Sequence, residues 1–357
     1  MNNSPDTYFE KAVDVLSELI KIPSFSKQEE GTASLLSNYL SDNNVEVKGI
    51  GKNVLATNKY FEAAKPTILL NSHHDTVKPN AAYTKDPFSP QVENEKLYGL
   101  GSNDAGGCLV SLMIAFLHFY DQRNLKYNLV YAATAEEEIS GLNGIQLALE
   151  QLPKIDFGIV GEPTLLQMAI AERGLMVLDC TTTGKAGHAA REEGVNAIYL
   201  AMKDIEWFRT FQFEKESEFL GPVKMSVTSI ETANKTHNIV PAECKFIVDV
   251  RVNELYTLDE VLKCIKENVQ GDVMERGTRL KSSAIAIEHP IVQAGLALGK
   301  TYYGSPTTSD KALMPFPALK IGPGDSARSH TADEFIFLDE IKEGIEFYIK
   351  LLEQVVF

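Results

Sequence analysis

The sequence predicts an α/β protein whose mostly parallel central sheet is interrupted by a second, inserted α+β domain. Helical patterns alternate with short apolar runs towards both ends of the chain, whereas the middle is rich in partly alternating, β-branched segments. At 357 residues the chain also exceeds the size at which a single hydrophobic core stops growing. We therefore expect two domains.

The outer parts of the chain contain three predicted helices and four predicted buried strands. Apolar residues at helical spacing indicate a helix over Thr7–Ile22, which Pro23 ends. A second helix is predicted over Glu29–Leu40, and a third follows the pair Gly106-Gly107. Short apolar runs typical of buried parallel strands occur at Pro66–Asn71, Tyr127–Ala133, Phe157–Val160 and Ala318–Ile321.

The middle of the chain predicts a smaller sandwich of its own. Its predicted strands are Leu175–Gly184, Val223–Thr232, Cys244–Val252 and Ser282–Ile287, and its predicted helices are Val195–Phe211 and Thr257–Glu267. The resulting order, β-α-β-β-α-β, fits a ferredoxin-like domain. We place this insert at residues 173–285, so that residues 1–172 and 286–357 form one discontinuous domain.

The charge, the apolar runs and the cysteines of the chain indicate which partners it binds and in which compartment it works. A formal net charge of −15 argues against nucleic acid and anionic membrane as partners, because both attract clustered Lys and Arg. No apolar run is long enough to span a bilayer, and the N-terminus lacks the basic flank of a signal peptide. The four cysteines are widely spaced, which favours reduced thiols. We expect a cytoplasmic protein.

Acidic and imidazole side chains follow the predicted parallel strands, at the ends where ligands bind in open α/β sheets. These clusters are Ser72-His73-His74-Asp75, Glu136-Glu137-Glu138, Gly161-Glu162-Pro163 and Gly322-Pro323-Gly324 leading to His330, with Asp104 in a further loop. Each alone has an ordinary explanation as a surface pair or a solvated loop. If all of them meet at one edge of the sheet, the ordinary explanations no longer suffice, because converging carboxylates cannot all stay ionised without a cation. Histidine with carboxylates and no cysteine suits zinc, manganese or cobalt.

These motifs resemble the signature of the acetylornithine deacetylase, succinyl-diaminopimelate desuccinylase and carboxypeptidase G family of co-catalytic zinc hydrolases. The resemblance rests on five segments in family order: His73-x-Asp75, Gly99-Leu100-Gly101-Ser102-Asn103-Asp104, Glu137-Glu138, Gly161-Glu162-Pro163-Thr164 and Gly322-Pro323-Gly324 with His330. It covers nearly the whole chain. It implies a zinc-peptidase-like catalytic domain, with the insert serving as lid and dimerisation domain.

The resemblance also implies a role for each of these residues. Asp104 would bridge two Zn²⁺ ions, for which Co²⁺ or Mn²⁺ could substitute; His73 and Glu162 would complete one site, and Glu138 and His330 the other. Asp75 would orient a ligating imidazole. Glu137 would be the general base that takes a proton from a water activated by the two metals, and then protonates the leaving amine.

Further residues would contact the substrate. His188, in Thr183-Gly184-Lys185-Ala186-Gly187-His188, would stabilise the oxyanion from the partner subunit of a homodimer. Asn238 and Arg251 would bind the substrate's carboxylate, although a turn residue and a strand-end ion pair are their ordinary alternatives. Gly322 and Gly324 would complete the substrate site.

Three departures from the family pattern concern residues beside these positions. Glu136 stands where Asp is frequent, Ala105 follows Asp104 in place of Met-Lys, and the proline expected after His188 is absent. None removes a ligand, but Arg191 lies near the predicted contact of His188 and therefore bears on acyl-group preference.

The sequence leaves three alternative functions open. The favoured one is deacylation of an N-acyl amino acid, above all N-acetylornithine in arginine biosynthesis, with N-acetylcitrulline, N-acetyl-lysine or an N-succinyl amino acid as variants. The second is a dipeptidase or carboxypeptidase on the same scaffold. The third is a non-catalytic dimeric scaffold, which would require a lost ligand or base; every predicted ligand and Glu137 are present.

Overall fold

The structure, a computed structural model, describes residues 5–191 and 193–357, which divide into two compact units. The first unit runs up to Ile170 and also contains Ile285–Tyr303 and Ser309–Phe357. The second unit contains Ala171–Ala284 and Gly304–Thr308. The second unit therefore interrupts the first in sequence.

Helices and strands alternate along most of the described chain. The helices are α1 (Pro5–Ile20), α2 (Glu30–Asp42), α3 (Gly107–Phe119), α4 (Ile145–Leu149), α5 (Ala197–Thr210), α6 (Leu258–Asn268), α7 (Pro290–Ala297) and α8 (Leu338–Val356). The strands are β1 (Val47–Ile50), β2 (Asn53–Thr57), β3 (Thr67–His73), β4 (Gln91–Glu93), β5 (Lys96–Tyr98), β6 (Asn128–Thr134), β7 (Phe157–Val160), β8 (Met168–Glu172), β9 (Gly174–Thr183), β10 (Gly187–His188), β11 (Lys224–Glu231), β12 (Ile239–Val240), β13 (Glu243–Val252), β14 (Asp272–Glu275), β15 (Ser283–Ala284), β16 (Tyr302–Ser305), β17 (Ala318–Lys320) and β18 (Phe335–Phe337).

The large sheet has the strand order β1-β2-β6-β3-β7-β17-β8-β15, with β16 beside β8. Its centre, β6-β3-β7-β17, is parallel, while β1, β2, β8 and β15 pair antiparallel. The α/β class with a mostly parallel central sheet is thus confirmed. A separate small sheet, β18-β5-β4, is antiparallel.

The parallel centre is buried, which explains its apolar sequence. Every residue of β3, β6 and β7 is buried, and so is nearly every residue of α3. Because these strands are parallel, their carboxyl ends meet at one edge of the sheet. The loops that carry the predicted ligands therefore leave the sheet on the same side.

The second unit contains the four-stranded antiparallel sheet β11-β13-β9-β14 and the helices α5 and α6. Its elements follow the predicted order β-α-β-β-α-β, but the prediction of its last strand was wrong. The fourth strand is β14, whereas the predicted run Ser282–Ile287 supplies β15, which pairs with β8. The side chains of β14 are largely exposed, so its sequence has no apolar pattern that would predict a strand. Backbone hydrogen bonds hold it in the sheet.

Among residues 5–191 and 193–357, no helix is both long enough and apolar enough to cross a membrane.

Candidate metal centre

All five predicted ligands and Glu137 meet at the carboxyl edge of the parallel strands, within the first unit. The residues come from the ends of β3, β6 and β7, from the loop after β5 and from the loop that precedes β18: His73, Asp104, Glu137, Glu138, Glu162 and His330. Two groups of three side chains are close enough to hold a cation, namely His73 with Asp104 and Glu138, and His73 with Glu137 and Glu162.

His73 is the most constrained of these side chains, with 1% of its surface exposed. Its Nδ1 lies 3.0 Å from the backbone oxygen of Asp75 and 3.4 Å from Asp75 Oδ1. Because Nδ1 donates to these oxygens, Nε2 is left to face Asp104 Oδ1 at 3.2 Å. Burial would lower the pKa of His73, but its hydrogen bonds with Asp104 and Asp75 outweigh burial and raise it well above 6.5.

Asp75 also organises the loop after β6. Its carboxylate accepts hydrogen bonds from the backbone nitrogens of Glu137 at 3.0 Å and Glu138 at 3.2 Å, and from the hydroxyl of Ser26 at 2.7 Å. One buried carboxylate therefore orients the imidazole of His73 and the backbone that presents the paired glutamates.

Asp104 lies between the two imidazoles. Its Oδ1 faces His73 Nε2, and its Oδ2 lies 3.6 Å from His330 Nε2. Burial tends to raise the pKa of Asp104, but the hydrogen bond and the charge of His73 outweigh burial, so the pKa is lowered. The two carboxylate oxygens are thus directed to opposite sides, as a bridging ligand requires.

His330 lies on the exposed side of the centre, and its side chain is 54% exposed. Its Nε2 lies 2.9 Å from Glu138 Oε2, and its backbone φ of 60° is in the left-handed region. The hydrogen bond with Glu138, which outweighs partial burial, raises the pKa of His330 to about 9.

Two loops beside Glu162 are joined by hydrogen bonds. Thr164 Oγ1 accepts from the backbone nitrogen of Gly322 at 3.0 Å, and Leu165 N donates to Gly324 O at 2.7 Å. A Cβ atom at Gly322 would lie 2.5 Å from Cys108 Sγ, and Gly324 has a φ of +88°. Packing and backbone conformation therefore account for both glycines, and their contact with substrate stays a prediction.

Glu137 is close to the ligands without being one of the five. Its Oε2 lies 3.9 Å from His73 Nε2. Burial raises the pKa of Glu137 well above 4.5; the charge of His73 opposes this increase, and the neighbouring carboxylates of Glu162, Asp310 and Glu138 add to it. A carboxylate with a raised pKa is suited to accept a proton near neutral pH.

The donor set fits a divalent cation. Two imidazoles and several carboxylates converge, and the two groups that could hold an ion contain only nitrogen and oxygen donors. Bringing this many carboxylates together is unfavourable unless a cation compensates their charge. Nitrogen and oxygen donors without thiolate are typical ligands of zinc at catalytic sites, and also of manganese and cobalt.

Residues 69–354 match the sequence profile of the peptidase family M20/M25/M40, which covers most of the chain. The chain belongs to this family. The predicted resemblance is confirmed, and membership makes this M20 protein a metal-dependent hydrolase.

The relatives of this M20 chain include two differently named enzymes. It is 29% identical over 275 residues to a succinyl-diaminopimelate desuccinylase of Orientia tsutsugamushi, covering 72% of this chain and 71% of that one. It is 28% identical over 377 residues to an acetylornithine deacetylase of Buchnera aphidicola, covering 96% and 97%. A Bacillus subtilis structure described as a dinuclear metal-binding M20 peptidase shares the fold, with a TM-score of 0.76, 16% identity and coverage of 98% and 99%.

The second unit of the M20 chain carries the three remaining predicted side chains. His188 on β10 pairs with Ile239 on β12, and the backbone nitrogen of Ala189 donates to Asn238 O at 3.0 Å. Arg251 on β13 instead donates from Nε and Nη2 to Asp249 at 2.8 and 3.1 Å. The structure brings the exposed His188 and Asn238 together, whereas Arg251 forms the ion pair that was its ordinary alternative.

Three residues of the M20 centre were missed by sequence reasoning. Asp310 is buried and accepts a hydrogen bond from Thr134 Oγ1 at 2.7 Å, and burial raises its pKa to about 6. Glu334 is buried beside Asp104, and Ser26 binds Asp75. Burial and the charge of Asp104 raise the pKa of Glu334 to about 8. Only Glu334 left a signal, an acidic residue immediately before the apolar run Phe335–Phe337.

Proposed function

We propose that this M20 protein hydrolyses the amide bond of an N-acyl amino acid, with N-acetylornithine as the favoured substrate and arginine biosynthesis as its pathway. The observation that carries the proposal is the position of Glu137, whose Oε2 lies 3.9 Å from His73 Nε2 beside a cluster of five ligand-type side chains. Both named sequence relatives, a desuccinylase and a deacetylase, carry names of enzymes that remove acyl groups.

The proposed cofactor is a pair of zinc ions, with cobalt or manganese as substitutes. His73 and Glu162 would hold one ion, Glu138 and His330 the other, and Asp104 would contact both. The two-sided placement of Asp104 between the imidazoles supports this division. When bound, such ions polarise the amide carbonyl and lower the pKa of water.

Glu137 would carry the protons of the reaction. It takes one proton from the attacking water, whose oxygen forms a bond to the acyl carbon. It then delivers that proton to the amine nitrogen as the C–N bond breaks, so a carboxylic acid and a free amine leave. Asp75 supports this role because it holds the backbone nitrogen of Glu137 at 3.0 Å.

The second unit would contribute to substrate binding and to the oxyanion. We assign the oxyanion contact to His188 of a partner subunit, the substrate carboxylate to Asn238 and Arg251, and backbone contacts to Gly322 and Gly324. The planar guanidinium of Arg251 can pair both oxygens of a carboxylate, as it already does with Asp249.

A homodimer through the second unit is part of the proposal. Tyr199 and Met202 are largely exposed on α5, and β11 forms the edge of the four-stranded sheet with Ile230 exposed. Such an edge is readily paired in a two-fold dimer. Mixing inactive His188→Ala and Glu137→Ala proteins should restore part of the activity, because one site per heterodimer is then complete. Verified heterodimers without any recovery would contradict action in trans.

The substrate is tested by steady-state kinetics of zinc-loaded protein. We expect the highest kcat/KM with N-acetylornithine in a panel that also contains N-acetylcitrulline, N-acetyl-lysine, the N-succinyl analogues and dipeptides. The desuccinylase relative supports the N-succinyl amino acids as the second candidate class. A preference for dipeptides would replace the deacylase proposal with a peptidase.

We also propose that the protein is located in the cytoplasm.

Glu137→Ala tests whether Glu137 carries the protons of the reaction. Its kcat should fall by about 10²–10⁴-fold or more while its metal content stays normal, because Glu137 moves protons and is not a ligand. Glu138→Ala should instead lose metal. Near-normal turnover by Glu137→Ala would show that the proton carrier has been assigned wrongly.

A further inference from the structure

Glu334 is a buried carboxylate that holds the loop presenting Asp104. It is 2% exposed, and its Oε1 accepts hydrogen bonds from the backbone nitrogens of Asn103 and Asp104, both at 2.9 Å. Its Oε2 accepts from the backbone nitrogen of Gly101 at 3.0 Å. Three of the four residues Gly101–Asp104 are therefore tied to one side chain.

The backbone around Glu334 is fixed to the same loop. Strand β18 pairs with β5, so that Phe335 lies opposite Tyr98, and the backbone nitrogen of Gly99 donates to Glu334 O at 3.0 Å. Gly101 has a φ of +75°, a left-handed conformation that glycine adopts at little steric cost. The loop between β5 and α3 thus has few alternative conformations.

Glu334 also belongs to the segment that carries the exposed imidazole, since it follows His330 by only four residues. One side chain therefore joins the loop of Asp104, which faces both imidazoles, to the loop of His330. Burying a carboxylate is unfavourable unless its oxygens accept hydrogen bonds. A substitution that replaces either oxygen of Glu334 should therefore release the loop that presents Asp104.

We propose that Glu334 is a positioning residue that fixes Asp104 relative to His330 and so sets the affinity of both metal ions at once. This inference rests on the proposed ligand assignment. Glu334 itself touches neither the metals nor the substrate. Its function is to keep both oxygens of Asp104 in the orientation that two ions can share.

The test compares Glu334→Gln with Asp333→Asn. Gln keeps the oxygen that accepts from Asn103 and Asp104 but turns an NH₂ group towards the Gly101 N–H. Asp333 is a matched control, because it is adjacent and also accepts from backbone nitrogens, those of Thr84 at 2.8 Å and Lys85 at 2.9 Å. Zinc affinity is measured by competition with a chromophoric chelator, together with the unfolding temperature of the metal-free proteins.

Glu334→Gln should weaken binding of both ions by about 10–100-fold, the usual effect of removing a residue that orients a ligand. Asp333→Asn should bind zinc within about threefold of the unaltered protein even if it is equally destabilised. Glu334→Asp, which keeps the charge but is one methylene shorter, gives the same readout if the Gln variant does not fold.

Asp104→Asn separates this inference from the ligand assignment. Unchanged zinc binding by Asp104→Asn would overturn the assignment of ligands. Weakened binding by Asp104→Asn together with unchanged binding by Glu334→Gln would overturn the role of Glu334 alone. A loss of affinity in Asp333→Asn as large as in Glu334→Gln would reduce Glu334 to a general structural residue.

Discussion

The two imidazoles of the candidate metal centre, His73 and His330, have the same ligand chemistry and very different surroundings. His73 ends a fully buried strand, is 1% exposed and is oriented by Asp75. His330 lies in a loop, is 54% exposed and has a left-handed backbone conformation. Its imidazole contacts the carboxylates of Glu138 and Asp104, both proposed ligands.

Because of this difference in burial, we expect the two halves of the centre to bind metal unequally. The His73 half is held in place before an ion arrives, so little conformational freedom is lost on binding. The His330 half must in addition order an exposed side chain. We therefore expect a tight, buried half and a weaker, faster-exchanging half.

The largest effect should follow from His73→Ala. His73 is a proposed ligand of the tighter ion, so its removal leaves only the weaker ion, which dialysis also depletes. Zinc content after dialysis should fall from about two ions per chain, the number in a co-catalytic centre, to less than one. A variant that keeps both ions would show that the buried imidazole is not a ligand.

His330→Ala should remove only the weaker ion. About one zinc per chain should remain, as in a mononuclear catalytic site with three protein ligands. Elemental analysis beside His73→Ala gives the comparison directly. If His330→Ala loses all metal, the halves are not separable in the way proposed.

The pH dependence should sharpen the contrast. The pKa of His330 is raised to about 9, and only the neutral imidazole binds a metal. Affinity of the weaker ion should therefore rise by roughly tenfold per pH unit from pH 7 to 9. Zinc titration at several pH values measures this rise, and His330→Ala should bind no second ion at any of them.

The same pKa has the opposite consequence for the metal-free protein. Because the folded pKa of His330 lies above its unfolded value, its contribution to stability is fully present below about pH 6.5. That contribution is lost as the pH rises towards 9. Urea unfolding of metal-free protein should show this loss, and His330→Ala should lack it.

A smaller effect is expected from Asp75→Asn, which removes no ligand but loosens both His73 and the backbone that presents Glu137 and Glu138. Affinity of the tighter ion should fall by about 10–100-fold. Ser26→Ala, which removes one hydrogen bond to Asp75, should cost about 0.5–1.5 kcal/mol and hence only a few-fold in affinity. Equal losses in both variants would contradict this ranking.

The sequence could predict the parallel strands and four of the six residues, because those signals are local. An apolar run marks each strand, and His73, Glu137, Glu138 and Glu162 end it or follow it within a few positions. Asp104 and His330 lie in loops farther from these strands. Family resemblance then supplied the roles. The structure brings these six together, although their roles stay predictions until they are tested.

The supporting residues could not be found in this way, because their roles depend on distant partners. Glu334 binds Asp104 across 230 positions and Asp310 binds Thr134 across 176, and neither belongs to a motif. Strand β14 was missed for a related reason. Its side chains are largely exposed, and it pairs with β9 through backbone hydrogen bonds, which leave no apolar pattern in the sequence.

The rate at which a chelator removes zinc from the fully loaded protein distinguishes a tight, buried half from a weak, exposed half. We expect two phases of about equal amplitude, one per ion, with the fast phase missing in His330→Ala and the slow phase preserved there. A single phase in the unaltered protein, or loss of the slow phase in His330→Ala, would contradict a buried tight half and an exposed weak half.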